Sequence, residues 1–205
     1  MHPLLGLFIA YLVGSVPFAY LAGKTKGIDL REHGSGNLGA TNATRVLGKR
    51  IGGLVYVADT LKGMLPPLLL TPHVSSIRPD LWAIGFGVAA IIGHVRPIFL
   101  LGQGGGKGVA TAGGVFFGLA PIPALISFAC FVAALVVTRY ASVGSMVAAV
   151  TLPLGIYAFQ GASILFHISC AIGLFVFWMH RGNLARLKHG TEPKIGSAGS
   201  RATSA

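Results

Sequence analysis

Three short polar segments interrupt an otherwise apolar chain, and their side chains are of the types that bind phosphate. The first, residues 33–45, reads HGSGNLGATNATR. Hydroxyls, amides and exposed backbone N–H groups around one guanidinium can form a cradle for an oxyanion. A flexible loop, in which Gly, Ser and Asn are common for conformational reasons, is the alternative, and spacing alone leaves both open. The candidate ligands are Ser35, Asn37, Thr41, Asn42 and Arg45.

The second polar segment, residues 102–111, reads GQGGGKGVAT and leads into an apolar run. Glycines allow backbone N–H groups to converge on an anion, the helix N-terminus adds positive potential, and Lys107 adds a full charge. The segment is not a Walker A motif, because Leu101 stands where the first glycine is needed and Gly108 follows the lysine. A glycine-rich turn is the alternative. The candidate binding residues are Gly104, Gly105, Gly106, Lys107 and Gly108.

The third polar segment, residues 180–194, reads HRGNLARLKHGTEPK. A basic flank that stops membrane transfer accounts for Arg186 and Lys188. It does not account for His180, which could titrate near neutrality, or for Asn183 and Glu192. We therefore include these three side chains and Arg181 among the candidate site residues.

Two further ionisable groups fall inside apolar runs. Asp59 and Lys62 are three residues apart and share a helix face, where a functional role and a mutual structural pair are both open. His94 precedes Arg96 and Pro97 at the end of another run. It is a candidate substrate-binding residue, with a structural, hydrogen-bonded histidine as the alternative.

The elements that position these segments are predicted to be membrane helices. The chain has 205 residues, of which 53% are hydrophobic and only 10% charged. Apolar runs of this kind satisfy their backbone groups internally as helices in lipid, so we predict an all-α, polytopic membrane bundle of about seven transmembrane helices. Pro121 and Pro123 should divide one long run, and Gly114 has the spacing of a close helix contact. The predicted apolar segments are 3–23, 51–71, 81–95, 108–120, 122–138, 141–160 and 163–179.

The basic residues predict the orientation of the bundle. With seven crossings and the N-terminus outside, all 16 Lys and Arg residues except Arg78 and Lys62 lie on the cytoplasmic side. The net charge of +11 thus reflects topology, and we predict no nucleic-acid binding. Cys130 and Cys170 lie in apolar runs and suit packing. We expect one domain, 1–195, and a disordered cytoplasmic tail, 196–205.

The three segments, in this order, resemble the bacterial acyl-phosphate:glycerol-3-phosphate acyltransferase family, PlsY, over residues from about 14 to 194. The resemblance runs through SGNxGxTNxxR from Ser35, DxxKG from Asp59, GHxxP from Gly93, GGKGVAT from Gly105 and HRxNxxRLxxGxE from His180. The chain departs from the family pattern at Gln103-Gly104, where an aromatic-Lys pair is usual, and at Arg96, where Phe is usual. Arg96 could replace the missing cation.

The resemblance implies transfer of a fatty acyl group from acyl phosphate to the 1-hydroxyl of glycerol 3-phosphate, which yields lysophosphatidic acid and phosphate in phospholipid biosynthesis. It implies a bacterial inner-membrane protein with its site at the cytoplasmic face, and a functional link to an enzyme that makes acyl phosphate. The predicted catalytic residues are Ser35, Arg45, Lys107, His180 and Asn183. The predicted substrate-binding residues are Asn37, Thr41, Asn42, His94, Gly104, Gly105, Gly106, Gly108, Arg181 and Glu192.

Acyl phosphate is a mixed anhydride with a good leaving group, so the enzyme must mainly position the reactants, stabilise charge and remove a hydroxyl proton. His180 or a substrate phosphate oxygen could accept that proton. No His, Cys, Asp and Glu residues have metal-ligand spacing, so we predict no cofactor and no metal. The acyl chain could lie along residues such as Phe116, Phe117 and Phe128. The competing function is a membrane transporter of phosphate or an organophosphate anion.

Overall fold

The computed structural model describes residues 1–196, and over this range the chain is helical without β-strands. All but the first residue of the predicted tail, 196–205, lies outside the described residues. Single-turn 3-10 helices follow α4 and α5, at Thr71–His73 and Ile98–Leu100. The all-α prediction is confirmed. The α-helices are α1 Pro3–Ser15, α2 Phe18–Lys24, α3 Ala40–Leu47, α4 Lys49–Leu70, α5 Pro79–Val95, α6 Val109–Leu119, α7 Pro121–Thr138, α8 Ala141–Gln160, α9 Ile164–Met179 and α10 Arg181–Lys188.

The helix boundaries follow the apolar runs, with two differences. The first run breaks between α1 and α2, where Pro17 has no N–H to continue the helical ladder. The first polar segment, for which a flexible loop was one interpretation, ends within α3, where Asn42 and Ala43 are buried. The predicted break at Pro121 is confirmed, because α6 ends at Leu119 and α7 begins at that proline.

Several of these segments can cross a bilayer, which makes the chain a multi-pass membrane protein. Pro3–Lys24, Pro79–Leu100, Pro121–Thr138 and Ala141–Gln160 are long and apolar enough to do so individually, and α9 with α10, bent by 53°, would add a fifth. Helix α6 has only 11 residues, and the 22-residue α4 carries buried Asp59 and Lys62. Seven crossings therefore stay a prediction.

Helix α6, which follows the glycine-rich segment, is held tightly against α4. A Cβ atom on Gly63 would lie 2.0 Å from the backbone oxygen of Thr111, and one on Gly114 would lie 1.9 Å from the backbone oxygen of Thr60. Only glycine permits this approach from both sides, so the close contact predicted for Gly114 is present. The remaining large contacts pair α1 with α5, α7 with α8, and α8 with α9.

Buried apolar side chains hold the first polar segment against the bundle. Leu30 and Leu38 are buried together with Ala19 of α2, Ala43 of α3 and Val55 of α4. Burying two leucines in this way stabilises the segment by about 2 kcal/mol each relative to exposure. The polar side chains between them are thereby presented on a supported loop.

Candidate functional site

The three polar segments meet at one end of the bundle. The Asn37 side-chain amide donates a hydrogen bond to the backbone oxygen of Gly105 at 3.3 Å, which joins the first segment to the second. The Lys107 ammonium donates a hydrogen bond to the side-chain oxygen of Asn183, which joins the second segment to the third. These two hydrogen bonds span 68 and 76 positions of the chain and assemble the three segments into one site.

A polar cavity of about 920 Å³ opens between these segments. Within residues 1–196, four cationic side chains line it, Arg45, Lys107, Arg181 and Arg186, and the only carboxylate in the lining is that of Glu192. The excess of positive charge suits a ligand that carries several negative charges. The neutral hydrogen-bonding residues in the lining include Ser35, Asn37, Thr41, Ser142, His180, Asn183 and Thr191.

Glu192 organises one wall of this cavity through three hydrogen bonds. Its Oε1 atom accepts from the Asn183 amide at 2.6 Å and from the Ser142 hydroxyl at 2.9 Å, and its Oε2 atom accepts from Nε of Arg186 at 2.7 Å. With its NH₂ group used by Glu192, Asn183 presents its oxygen to Lys107. Glu192 therefore fixes the orientation of Asn183 and, through it, the position of the ammonium.

The charged groups of the cavity influence one another. Burial lowers the pKa of Lys107 to about 8, and the nearby Arg186 and Arg45 charges add to the lowering while Glu192 opposes it. Burial raises the pKa of Glu192, but hydrogen bonds from Asn183, Ser142 and Arg186 outweigh it and bring the pKa below its ordinary value. At neutral pH the lysine is a cation and the glutamate an anion.

His180 sits where α9 ends and its side chain is almost fully buried. Its Nδ1 atom lies 2.8 Å from the backbone oxygen of Val176, an arrangement in which Nδ1 carries the proton and Nε2 has the lone pair. Burial, together with the charge of Lys107, lowers the pKa of His180 to about 4. At neutral pH the side chain is a neutral imidazole whose Nε2 atom is available as a hydrogen-bond acceptor.

A second cavity, of about 680 Å³, adjoins the first and is mainly apolar. Helices α5 and α9 form its walls, and Gly104, Gly105 and Gly106 line its polar end together with Arg96 and Arg181. Met179 and Arg181 belong to both cavities, so the two spaces meet at these side chains. The molecule thus places an apolar groove directly beside a cationic one.

Nine of the predicted site residues line the polar cavity, and the three consecutive glycines line the apolar one. The structure places the other three differently. The Asn42 side chain is buried and accepts from the Ser35 N–H while it donates to the backbone oxygens of Leu30 and His33, so it shapes the loop from inside. The nine are Ser35, Asn37, Thr41, Arg45, Lys107, His180, Arg181, Asn183 and Glu192.

Gly108 and His94 also lie outside both cavities, and their predicted contact with substrate stays a prediction. Gly108 stands immediately before α6 with a φ of 83°, a backbone conformation that favours glycine, so its role is to turn the chain into the helix. His94 is buried behind the glycine-rich segment, whose Gly106 N–H donates to the His94 backbone oxygen at 3.3 Å.

The three phenylalanines suggested for the acyl path line only a small space of about 50 Å³. Phe116 is fully buried, and Phe117 and Phe128 pack edge to face. That space is smaller than an acyl chain. The apolar cavity between α5 and α9 is the larger and better-placed groove, and hydropathy gave no signal for it because both helices are apolar on all sides.

Sequence reasoning also missed side chains that complete the polar cavity. Ser142 follows Tyr140 at the start of α8 and reaches Glu192, 50 residues away. Arg186 was part of the third family motif but was not named as a site residue, although it pairs with the same carboxylate. The spacing of Asn183, Arg186 and Glu192 is the one local signal that could have suggested this cluster.

The chain matches known proteins over nearly its whole length. Residues 4–190 match the family model described as glycerol-3-phosphate acyltransferase. The chain is 43% identical over 183 residues to a glycerol-3-phosphate acyltransferase of Geotalea daltonii, which covers 89% of this chain and 92% of that protein. The chain belongs to the glycerol-3-phosphate acyltransferase family.

Solved structures within the glycerol-3-phosphate acyltransferase family share this fold. A crystal structure of PlsY, an integral membrane glycerol 3-phosphate acyltransferase, in its glycerol 3-phosphate form matches with a TM-score of 0.87 and 38% identity over 95% of this chain and 96% of that one. The lysophosphatidic acid form of PlsY matches with a TM-score of 0.84 and 37% identity over 95% of each chain. The resemblance seen in the three polar segments is confirmed.

Proposed function

We propose that this protein transfers a fatty acyl group from acyl phosphate to the 1-hydroxyl of glycerol 3-phosphate and releases lysophosphatidic acid and inorganic phosphate. The glycerol-3-phosphate acyltransferase activity follows from the family, its named relatives and the two PlsY structures. The identity of the acyl donor and the roles of individual residues are our proposal. They rest chiefly on the junction of a cationic cavity with an apolar one.

This junction suits two substrates of different character. An acyl donor is amphiphilic, and its chain would lie in the apolar cavity between α5 and α9 with its phosphate toward Arg181 and the glycine-rich segment. Glycerol 3-phosphate is small and anionic, and it would lie in the cationic cavity among Arg45, Lys107 and Ser35. The reacting carbonyl carbon and hydroxyl would then meet near Arg181.

In the chemical step the hydroxyl oxygen bonds to the carbonyl carbon, the bond from that carbon to the phosphate oxygen breaks, and the hydroxyl proton must leave. Positioning and positive charge supply most of the catalysis, because the donor is already activated. A histidine whose pKa is about 4 accepts a proton poorly at neutral pH. A phosphate oxygen, with a second pKa of about 6, is the better acceptor, while His180 orients the hydroxyl through Nε2.

A transporter of phosphate or organophosphate is not favoured. Such a protein needs a site open alternately to both sides of the membrane. The cationic side chains here lie in one cavity formed by the three polar segments at one end of the bundle, and the relatives are named as acyltransferases. We further propose a bacterial inner-membrane location with this end in the cytoplasm, where an enzyme that makes acyl phosphate would supply the donor.

The purified protein in detergent, supplied with acyl phosphate and glycerol 3-phosphate, tests the proposal. We expect stoichiometric release of phosphate and lysophosphatidic acid, and no product when acyl-coenzyme A replaces acyl phosphate. Lys107→Ala should lower the turnover roughly a hundredfold, since the loss of one charge-stabilising donor has that order of effect. Lys188→Ala, at an exposed lysine outside both cavities, is the control. Turnover with acyl-coenzyme A alone would contradict the proposed donor.

A further inference from the structure

A buried ionisable cluster lies beneath the glycine-rich segment. Asp59 and Lys62 of α4 and His94 of α5 are only 1%, 4% and 6% exposed. The Lys62 ammonium is 2.8 Å from Oδ1 of Asp59, and Nδ1 of His94 is 3.6 Å from the same oxygen. Buried charges are costly unless they are paired. Mutual pairing explains why Asp59 and Lys62 are both buried, but it does not explain why His94 lies beside them.

Lys62 ties this cluster to another part of the bundle. Its ammonium donates a hydrogen bond at 2.7 Å to the backbone oxygen of Val16, in the break between α1 and α2. The same ammonium lies 5.5 Å from the centre of the Phe18 ring. Asp59 is therefore paired with a lysine whose position is fixed by its contacts with Val16 and Phe18.

His94 connects the cluster to the glycine-rich segment. A Cβ atom on Gly106 would lie 2.1 Å from Nε2 of His94, and one on Gly105 would lie 2.1 Å from the backbone oxygen of Val95. The segment thus rests directly on His94, with one ring nitrogen toward Gly106 and the other toward Asp59. Lys107, the next residue along, turns into the cationic cavity.

We propose that His94 is a positioning residue for Lys107. The Nδ1 side of the ring faces the Asp59 carboxylate that Lys62 holds, and the Nε2 side packs against Gly106. Through Gly106 the ring sets the position of the adjacent Lys107. The proposal rests on the proposed function, because the position of Lys107 affects activity only if the cationic cavity holds the phosphates of the substrates.

A double-mutant cycle between His94 and Lys107 tests this inference. We expect His94→Leu to reduce kcat/KM for glycerol 3-phosphate roughly tenfold to a hundredfold, the order of effect of a small misplacement of a substrate-binding group. His94→Gln, which keeps a polar head, should recover part of the loss. In the Lys107→Ala background, His94→Leu should cause little further loss, because residues that act through one another are not additive.

The matched control is His167→Leu, which alters an exposed histidine on α9 and should leave kcat/KM unchanged. Losses that multiply in the double variant would overturn the proposal, as would wild-type kinetics in folded His94→Leu. Failure of both His94 variants to fold would also overturn it, because the ring would then serve global packing. Calorimetric binding of glycerol 3-phosphate is measured in parallel. If acyl phosphate proves not to be the donor, the same double-mutant cycle, measured as the affinity for glycerol 3-phosphate, still decides the role of His94.

Discussion

Lys107 lies between groups that act on its charge in opposite directions. Burial and the nearby Arg186 and Arg45 disfavour its protonated form, while Glu192 favours it, and the pKa is about 8. A lysine whose pKa is lowered loses its charge at a pH where an exposed lysine is still protonated. The cationic character of the cavity is thus sensitive to mild alkali.

We expect kcat/KM for glycerol 3-phosphate to fall as pH rises through about 8, because Lys107 is a cation below this pKa and neutral above it. The pH dependence of kcat/KM reports the groups of the free enzyme, so steady-state kinetics between pH 6 and 10 measure it directly. Lys107→Arg should shift this fall to higher pH, since arginine remains charged. If kcat/KM of Lys107→Arg fell at the same pH as in the wild type, the fall would belong to the titration of another group.

Arg96 faces a different cavity from the one that its position in the sequence suggested. It lines the apolar cavity and not the cationic one, and its Nη1 atom donates to the backbone oxygen of Gly102 at 3.3 Å. We therefore propose that the guanidinium contacts the phosphate of the acyl donor rather than that of glycerol 3-phosphate.

Arg96→Ala should raise KM for acyl phosphate roughly threefold to fivefold, as expected for one exposed charge contact. KM for glycerol 3-phosphate should stay within about twofold of wild type, because the side chain does not reach that cavity. Arg78→Ala is the control, since Arg78 is exposed and pairs with Asp80 away from both cavities. A rise in KM for glycerol 3-phosphate alone would restore the original hypothesis.

Individual site residues were predictable where type and local spacing carried the information. Hydroxyls, amides and cations near glycines indicated anion binding, and seven of them line one cavity. The roles of Asn42 and His94 were not predictable, because a polar side chain at such a position can face a ligand or the interior. The distinction depends on tertiary contacts, such as Asn42 with the backbone of Leu30.

At the scale of helices, proline and hydropathy were reliable guides. The boundary between α6 and α7 at Pro121 was predicted because the ring removes a hydrogen-bond donor. Helix α3 was not predicted, since its ATNATRVL sequence has weak helix propensity and the packing of Ala43 against Leu30 and Val55 decides its conformation. The apolar cavity could not be predicted either, because it is a gap between α5 and α9 that only packing creates.

The contact of α4 with α6 gives a matched test in neighbouring glycines. Gly114→Ala would place a Cβ atom 1.9 Å from the Thr60 backbone oxygen, so the helices must separate and unfolding should become easier by about 1–3 kcal/mol. Gly113→Ala meets no atom within 4 Å and should be neutral or stabilising by up to about 1 kcal/mol. Thermal unfolding in detergent compares the two. Equal midpoints for both variants would contradict the tight crossing.

At the scale of the whole molecule, the site is formed by three segments that the order of the helices brings to the same end of the bundle. The first segment follows α2, the second follows α5, and the third follows α9. Their contacts through Asn37, Gly105, Lys107 and Asn183 place them at one end of the bundle. The orientation of that end rests on the distribution of Lys and Arg, which is a property of the sequence.

Cysteine accessibility measures the proposed orientation. In a chain with Cys130 and Cys170 replaced by Ala, Ser76→Cys should react with a membrane-impermeant maleimide in intact spheroplasts. Lys188→Cys should react only after permeabilisation, because it is expected at the cytoplasmic face. Both positions are exposed, so reactivity reports the side of the membrane. The reverse labelling pattern would place the site outside.

The apolar cavity has an open flank, where Ile92 and Trp178 are 52% and 55% exposed on the outside of the bundle. A substrate entering there would come from a two-dimensional phase, so its effective concentration is a mole fraction in the leaflet rather than a molarity in water. Diluting acyl phosphate with inert lipid at constant bulk concentration should then slow the reaction. The product carries the same acyl chain and would diffuse laterally into the leaflet. The bilayer would then both supply the acyl donor and dissolve the product.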